Sequence, residues 1–471
     1  MKVTVIGGGL TGLAAAHRLL ERTHAGGRAI DLCVIEASDR TGGGIRTTRE
    51  STPAGEILVE WGADSFFTEK PWALALARRI GLGDRILATR DAPGLRRALV
   101  VRAGRLHAVP EDFILLGPAR LGPLFRSPIL SPAGRLRVAL DLFLPRRSRQ
   151  EDESLGSFVR RRLGRECLER LVQPLVGGIY TADPERLSLR ATLPHFLDME
   201  RTHASVIRGL RELKQRRAAE GAGEAGARYG LFVSFDGGMQ TLPDTLASRV
   251  GAACIRTGAR AKCVRRGRRW EVALGTGEIL ETDALVIALS AARAASLLRE
   301  TDGALADVIG AIPAASSAIV TLAYRREDVR HALDAFGFVV PAVEKRRILA
   351  ATFSSVKFEG RAPEGVALLR AFLGELPDDD LARAAQEELS ELLGIGAGPL
   401  YAAVHRHPQA MPQYEVGHLG RVHSIETAAA RHAGLALAGN WLHGVGIPDC
   451  VRSGEAAADD LLDTHEHGGW E

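Results

Sequence analysis

Lys2-Val3-Thr4-Val5-Ile6-Gly7-Gly8-Gly9-Leu10-Thr11-Gly12 is the stretch that decides the fold. A short apolar run ends in glycines and passes directly into Leu13-Ala14-Ala15-Ala16, with apolar spacing that continues to Arg22. This predicts a buried strand, a tight turn and a helix from Leu10 to Arg22. Each spaced glycine has a task. Gly7 permits the turn, Gly9 lets backbone approach a pyrophosphate, and Gly12 lets helix and strand pack closely. Gly8, Leu10 and Thr11 complete a helix N-terminus whose N–H groups and partial positive charge suit phosphate. Thr23–Arg28 reads as a loop and Ile30–Ile35 as a second buried strand, giving a βαβ opening. Glu36 ends that strand, where a carboxylate can accept hydrogen bonds from ribose hydroxyls. A plain glycine turn needs neither that acid nor those flanks.

The residues just after Glu36 separate NAD from FAD. Arg40-Thr41-Gly42-Gly43-Gly44 brings a second backbone stretch to the same cofactor and sets Arg40 near phosphate. NAD-binding folds do not ordinarily need it. A third glycine-rich approach, Gly439-Asn440 with Gly444-Val445-Gly446-Ile447, precedes a final helix expected over Arg452–Leu462. Three approaches favour an extended, buried FAD.

The 471 residues are too many for one core, so two or three domains are expected. Hydrophobic and charged fractions of 46% and 25% are those of a soluble globular chain. Net charge is +4 with no basic tract, which argues against nucleic-acid binding. Five scattered cysteines (Cys33, Cys167, Cys254, Cys263, Cys450) form no C-x-x-C pair, which gives no sign of a disulfide framework or a zinc site. With a strand beginning at Lys2 there is no room for a signal peptide, and no apolar run is long enough to span a membrane. A cytoplasmic protein is expected, with peripheral attachment to a membrane left open.

The fold class expected is α/β and α+β: a discontinuous Rossmann-like FAD-binding domain, an inserted α+β substrate domain and a helical subdomain. The boundaries read as 1–70, 231–290 and 406–471 for the first, 71–111 and 291–405 for the second, and 112–216 for the helical part. Residues 217–230, rich in Ala, Gly and Glu, read as a flexible loop. Region 112–147 sets Leu and Phe among Pro118, Pro123, Pro128 and Pro132, with Arg135, Arg137, Arg146 and Arg147 nearby. His405-x-His407 binds a metal only if both rings point to one side, and a strand or loop surface is the favoured reading. No metal is expected.

Glu36-Ala37-Ser38-Asp39-Arg40-Thr41-Gly42-Gly43 resembles the signature of amine-oxidase-type flavoproteins. Four more segments resemble the porphyrinogen oxidases among them, which act on protoporphyrinogen IX or coproporphyrinogen III. These are Trp61–Phe66, Pro174–Tyr180 continuing to Ser188, Met411–His418 and Gly444–Cys450. They fall in the family's order from residue 2 to about 463. The resemblance implies non-covalent FAD touched also by Gly43, Gly62, Ala63, Asp64, Ser65 and Ala261. It implies a six-electron oxidation by hydride transfer from a porphyrinogen to the flavin, with reoxidation by O₂ to H₂O₂. An amine oxidase or carotenoid desaturase, and a non-catalytic flavin-binding factor, are the more remote alternatives. The flavin carries the chemistry, so no catalytic side chain is required. Asp64 is the one candidate, as a positioner of substrate or proton, or else as a helix cap.

For the substrate, the resemblance implies Phe372 against the macrocycle, Val339 as an aliphatic wall, Gly178 beside it and Arg97 for a propionate. Many relatives carry an aromatic after that arginine. Here Ala98-Leu99 stands in its place, so an exposed strand-edge Arg97 is the equal alternative. The family's helical region is implicated in membrane contact, so the arginines of 112–147 could meet headgroups while Leu and Phe dip inward. A channel wall is the competing reading. A haem-pathway enzyme that accepts the product is an expected partner. Monomer and homodimer both stay open.

Overall fold

The computed structural model describes residues 1–27, 29–91, 95, 97–147, 151–219, 232–374 and 378–466. Its first layer is a five-stranded parallel sheet. In spatial order the strands are Ile255–Arg256, Asp31–Ile35, Lys2–Ile6, Ala284–Ile287 and Leu435–Leu437. Both faces are covered, which is why these strands are near-continuous apolar runs. Val3, Val5, Val34 and Val286 pack against the first helix, Leu10–Ala25, and the C-terminal helix, Ile447–Glu466. Ile6, Ile35, Leu285 and Ile287 pack on the other side with an antiparallel meander, 261–266, 270–274 and 279–282. One sheet is thus assembled from segments more than 400 residues apart.

Glycine sets the closest contacts in this layer. A Cβ at Gly12 would lie 1.8 Å from the Gly7 carbonyl oxygen. One at Gly454 would lie 2.2 Å from the Thr11 carbonyl oxygen, so the terminal helix crosses the first helix at backbone distance.

The second layer is a seven-stranded, mostly antiparallel sheet. Its order is Tyr401–Pro412, Ala314–Arg325, Val366–Leu373, Ile348–Phe353, Gly337–Val339, Leu99–Arg102 and Arg105–Ala108. One face, through Leu369, Ala371, Leu373 and Phe353, packs on the helix Asp378–Leu393. Helices between residues 121 and 219 form a separate core around Phe158, Leu163, Leu171, Phe196 and Leu210.

Several boundaries differ from expectation. The first helix runs on to Ala25, and the last begins at Ile447, because Pro448 suits a first turn. The edge strand Tyr401–Pro412 carries the second sheet past residue 405. Helices Ala291–Leu298 and Gly303–Gly310 pack with the first layer, through Leu298, Leu305 and Ile309. Helix Pro71–Arg79 does likewise, through Leu76 and Ala77 against Val451. Most of 217–230 lies outside the described residues.

Of the four arginines expected to face outward in 112–147, Arg135 and Arg137 are half-buried and Arg146 and Arg147 exposed, and each is tied to the protein rather than left free. Arg135 donates to the carbonyls of Leu130 and Phe125, Arg137 to those of Arg160, Arg161 and Arg162, and Arg146 to that of Arg201. Arg147 pairs with Glu153 at 3.1 Å. Apolar side chains face solvent beside them: Leu136 is 61% exposed, Leu140 50% and Phe143 79%. Beneath them the fully buried Arg162 binds Asp141 at 2.6 Å and holds the segment to the helical core.

Candidate active site

The two glycine clusters of the first sixty residues meet. The Gly42 N–H donates to the Gly8 carbonyl at 2.8 Å, and Gly9 and Gly42 form a parallel bridge. Arg40 folds over its own loop and donates to the carbonyls of Thr41, Gly43 and Ile45. Glu36 Oε2 accepts the Gly8 N–H at 2.7 Å, while Oε1 accepts the N–H and hydroxyl of Ser38. Oε2 keeps a lone pair for a ribose hydroxyl. The chain from Gly258 to Ala261 runs alongside, with the Ala259 N–H on the Glu36 carbonyl at 2.9 Å.

Gly62 closes the other side. A Cβ there would sit 2.1 Å from the Gly44 carbonyl oxygen. Ala63 beyond it is exposed, while Asp64 and Ser65 turn inward. The turn at Gly439–Gly446 is held by several side chains. The Tyr414 hydroxyl donates to the Asn440 carbonyl and accepts the Gly444 N–H, both at 2.7 Å. His418 stacks on Tyr414 at 3.8 Å and bonds the Leu442 carbonyl at 3.0 Å. Burial pushes His418 down to about 4, so it is neutral at ordinary pH. Asp449 accepts the Gly446 N–H and pairs with Lys70 at 2.6 Å. Val445, Gly446 and Ile447 therefore present a fixed helix N-terminus.

These residues fit a dinucleotide. A Cβ at Gly44 would meet nothing within 4 Å, and one at Gly9 only the Gly43 Cα at 3.8 Å. Bare backbone with its N–H groups thus borders an open trough, with Glu36 near one end.

The second sheet supplies the facing wall. Strand register places His405, Ile319, Phe372, Ala350, Val339 and Val100 in one row across five pairings, on one face. Phe372 and Val339 stand two strands apart with Ala350 between them. Gly178, on the helix Gln173–Tyr180, lies over this row: its Cβ position is 3.8 Å from Val339 Cγ1. Arg97 is not brought here. It precedes a strand whose Leu99 and Val101 point to the opposite face, and its guanidinium is tied to Asp334.

Asp64 does not cap a helix here; two cations engage its carboxylate. The next helix starts at Pro71 after Lys70, without a side-chain cap. Burial alone would push the Asp64 carboxyl up, but Lys357 at 2.9 Å and Arg370 at 3.3 Å outweigh it and hold it well below the carboxylate range. Arg370 also donates to the Gly62 carbonyl and stands 5.3 Å over the Phe372 ring. His405 and His407 do share a side, with ring centres 4.6 Å apart, and they pack on Trp61 rather than facing solvent. His407 Nε2 is engaged by the Trp61 carbonyl at 2.8 Å. Among the described residues no third ligand joins them.

Sequence reasoning missed Ala350, Lys357 and Arg370. Arg370 had a visible signal, a lone charge inside Leu368-Leu369-Arg370-Ala371-Phe372.

A parallel sheet with paired glycine turns, an acid at the second strand's end and a helix N-terminus at the far end defines a dinucleotide-dependent oxidoreductase. The chain belongs to the flavin containing amine oxidoreductase family, whose sequence profile matches residues 10–462, and it is a flavin enzyme. It is similar to coproporphyrinogen III oxidase of Bacillus subtilis (strain 168), 32% identical over 98% of this chain and 97% of that one. It is 30% identical to protoporphyrinogen oxidase of Macaca fascicularis, over 99% of each. Among solved structures, a protein of Exiguobacterium sp. 255-15 provisionally called protoporphyrinogen oxidase superposes with a TM-score of 0.84, at 26% identity over 98% of this chain and 99% of that one. The flavoprotein fold expected from the sequence is therefore the fold present.

Proposed function

We propose that this chain oxidises protoporphyrinogen IX to protoporphyrin IX, with non-covalent FAD and with O₂ as acceptor, yielding H₂O₂. The observation that carries the reading is the row Phe372–Ala350–Val339, faced by Gly178 and joined through Arg370 to the Gly62–Asp64 loop. A flat, mostly apolar macrocycle needs an apolar wall of this kind beside the cofactor. FAD, rather than a smaller flavin, suits a site with both an acid for an adenosine ribose, Glu36, and a separate turn at Gly439–Gly446 for the flavin end. The helix N-terminus at Gly9, Leu10 and Thr11, shaped by Gly7, Gly8 and Gly12, with Arg40 and Gly43 would hold the pyrophosphate, and Glu36 with Ala37 and Ala261 the adenosine. Gly62–Ser65 and Gly439–Ile447 would hold the flavin end.

When bound, FAD supplies the two-electron acceptor that O₂ regenerates. The chain's own residues bind, orient and exclude water. Val339, Ala350 and Phe372 press one face of the macrocycle and keep the reacting carbon dry. Asp64 stays ionised and fixes Lys357 and Arg370. The Val445 and Ile447 N–H groups would fix the far end of the cofactor, with the Gly446 N–H held by Asp449.

Coproporphyrinogen III is the second reading, favoured by the name of the Bacillus subtilis relative. Aerobic incubation with each porphyrinogen, following porphyrin fluorescence and H₂O₂ together, tests both. Competing kcat/KM values choose between them, and no porphyrin from either, with a normal flavin spectrum, sinks the reading. Among the described residues no helix is long and apolar enough to cross a membrane. We place the enzyme in the cytoplasm, with Leu136, Leu140 and Phe143 as a peripheral membrane contact and a haem-pathway enzyme receiving the product.

A further inference from the structure

Three cations are buried behind the Trp61–Ser65 loop: Lys357, Arg361 and Arg370 are 9%, 2% and 2% exposed. Two carboxylates share that interior. Asp64 meets Lys357 and Arg370 directly. Glu60 takes its bonds from neutral donors, the Thr47 hydroxyl at 2.7 Å and the Met239 N–H at 2.8 Å. Asp236, near Arg361, is committed to Arg85 at the surface at 2.8 Å. One positive charge is left over. Hydrogen-bond donors are left over too, since the Nε–H groups of Arg361 and Arg370 are buried without an acceptor among the described residues.

Unmatched buried charge is costly, and apolar residues of similar volume would be as stable or more so. The excess therefore serves something other than folding. We propose that Lys357, Arg361 and Arg370 are a fixed counter-charge for the flavin, set to favour its reduced, negatively charged form. This rests on the flavin lying against Gly62–Ser65, as in the function proposed above. The oxidised ring is neutral. A hydride from the substrate brings two electrons and one proton's nucleus, and leaves one negative charge on the ring, while the substrate's companion proton goes to solvent. O₂ later takes that hydride's electrons and hydrogen, with one proton from solvent, to become H₂O₂. Cations locked by Asp64, Ser65, Ser234 and backbone carbonyls need not reorganise as the charge appears. Through Arg370 the same device touches Phe372, so the cofactor loop and the substrate wall share one residue.

Sulfite reads this field without substrate or turnover, because its adduct with the oxidised ring is also anionic. On the holoenzyme, Lys357→Met should raise the sulfite Kd by about tenfold or more, the order expected for removing one unit charge at a low effective dielectric. It should also lower the flavin midpoint potential, and Lys357→Arg should restore both. Asp64→Asn enlarges the excess and should move both quantities the opposite way, which keeps the test decisive if Lys357→Met fails to hold flavin. Unchanged sulfite affinity and potential in Lys357→Met, or equal signs for it and Asp64→Asn, overturn the proposal. Ala63→Leu puts bulk on the exposed loop position. If it leaves flavin affinity and absorption unchanged, the placement of the flavin falls and this inference with it. If it disturbs them while Lys357→Met does nothing, only the charge proposal falls.

Discussion

Replacing Asp64 by asparagine keeps the side chain's shape and removes its charge. Lys357 and Arg370, both buried, then face no carboxylate. Breaking a buried pair from one side costs about 3–5 kcal/mol, because uncompensated charge remains. Part is offset. Lys357 keeps the Ser65 hydroxyl and lies over the rings of Phe232 and Phe358, and Arg370 keeps the Gly62 carbonyl and Phe372. A loss of about 3 kcal/mol near neutral pH is expected. An unfolding entropy of roughly 1 kcal/mol/K for a chain of this length makes that only about 3 °C in Tm, so denaturant titration is the sharper assay. In a cycle with Lys357→Met, the double variant should recover about 1.5 kcal/mol or more of the summed losses, since Lys357→Met removes one of the stranded cations. The sign with pH is fixed. Asp64 binds its proton less tightly folded than unfolded, so its contribution is present above the ordinary carboxylate range and is lost as pH falls through the lowered folded value. Wild type and Asp64→Asn should therefore converge on acidification. Coupling below about 0.5 kcal/mol refutes the reasoning. So does a gap that is the same at about pH 7 and about pH 3.

Gly454→Ala gains helix propensity of about 1 kcal/mol, but its methyl would lie 2.2 Å from the Thr11 carbonyl oxygen, so a net loss of about 2 kcal/mol with weaker flavin binding is expected in calorimetry and flavin titration. Tyr414→Phe keeps the stack on His418 and loses both hydroxyl bonds to the Gly439–Gly446 turn, which should raise the flavin Kd about tenfold in a fluorescence-quenching titration. Changing Leu136, Leu140 and Phe143 together to serine should cut liposome co-sedimentation by about a hundredfold while leaving kcat in solution unchanged. Binding that survives the triple change would move the membrane contact elsewhere.

The glycine turn at Gly7–Gly12, the acid Glu36 and the loop Arg40–Gly44 were legible because each is local: a few adjacent residues fix a conformation. The contact between the turns, Gly42 on Gly8, was implied by their common task. The row Phe372–Ala350–Val339 was legible only at its ends, through resemblance. Ala350 carries no mark, and strand register is decided by tertiary pairing across distant segments. The arginines of 112–147 read as outward because charge normally is. Here backbone carbonyls take up Arg135 and Arg137, Arg146 and Arg147 stay at the surface on the Arg201 carbonyl and Glu153, and the hydrophobic stripe is exposed beside them. Arg97 matched a pattern, but one Asp334 beyond any sequence window decides where its guanidinium goes. His405 and His407 share a side because the edge strand is extended, and Trp61 covers them.

The Trp61–Ser65 loop belongs by sequence to the first layer, yet side chains of the second layer hold it at every step. His407 takes the Trp61 carbonyl, Arg370 the Gly62 carbonyl and Asp64, and Lys357 both Asp64 and Ser65. The two layers are in effect welded at the point where they meet the cofactor. A clamshell motion would have to break a row of buried polar contacts on every cycle, and a six-electron oxidation needs several cycles. The helical side is tied to the second layer as well, since Gln173 accepts the Ala342 N–H at 2.9 Å and Arg170 pairs with Glu344 at 3.4 Å, so the parts that meet at Gly178 and Val339 are also pinned to one another.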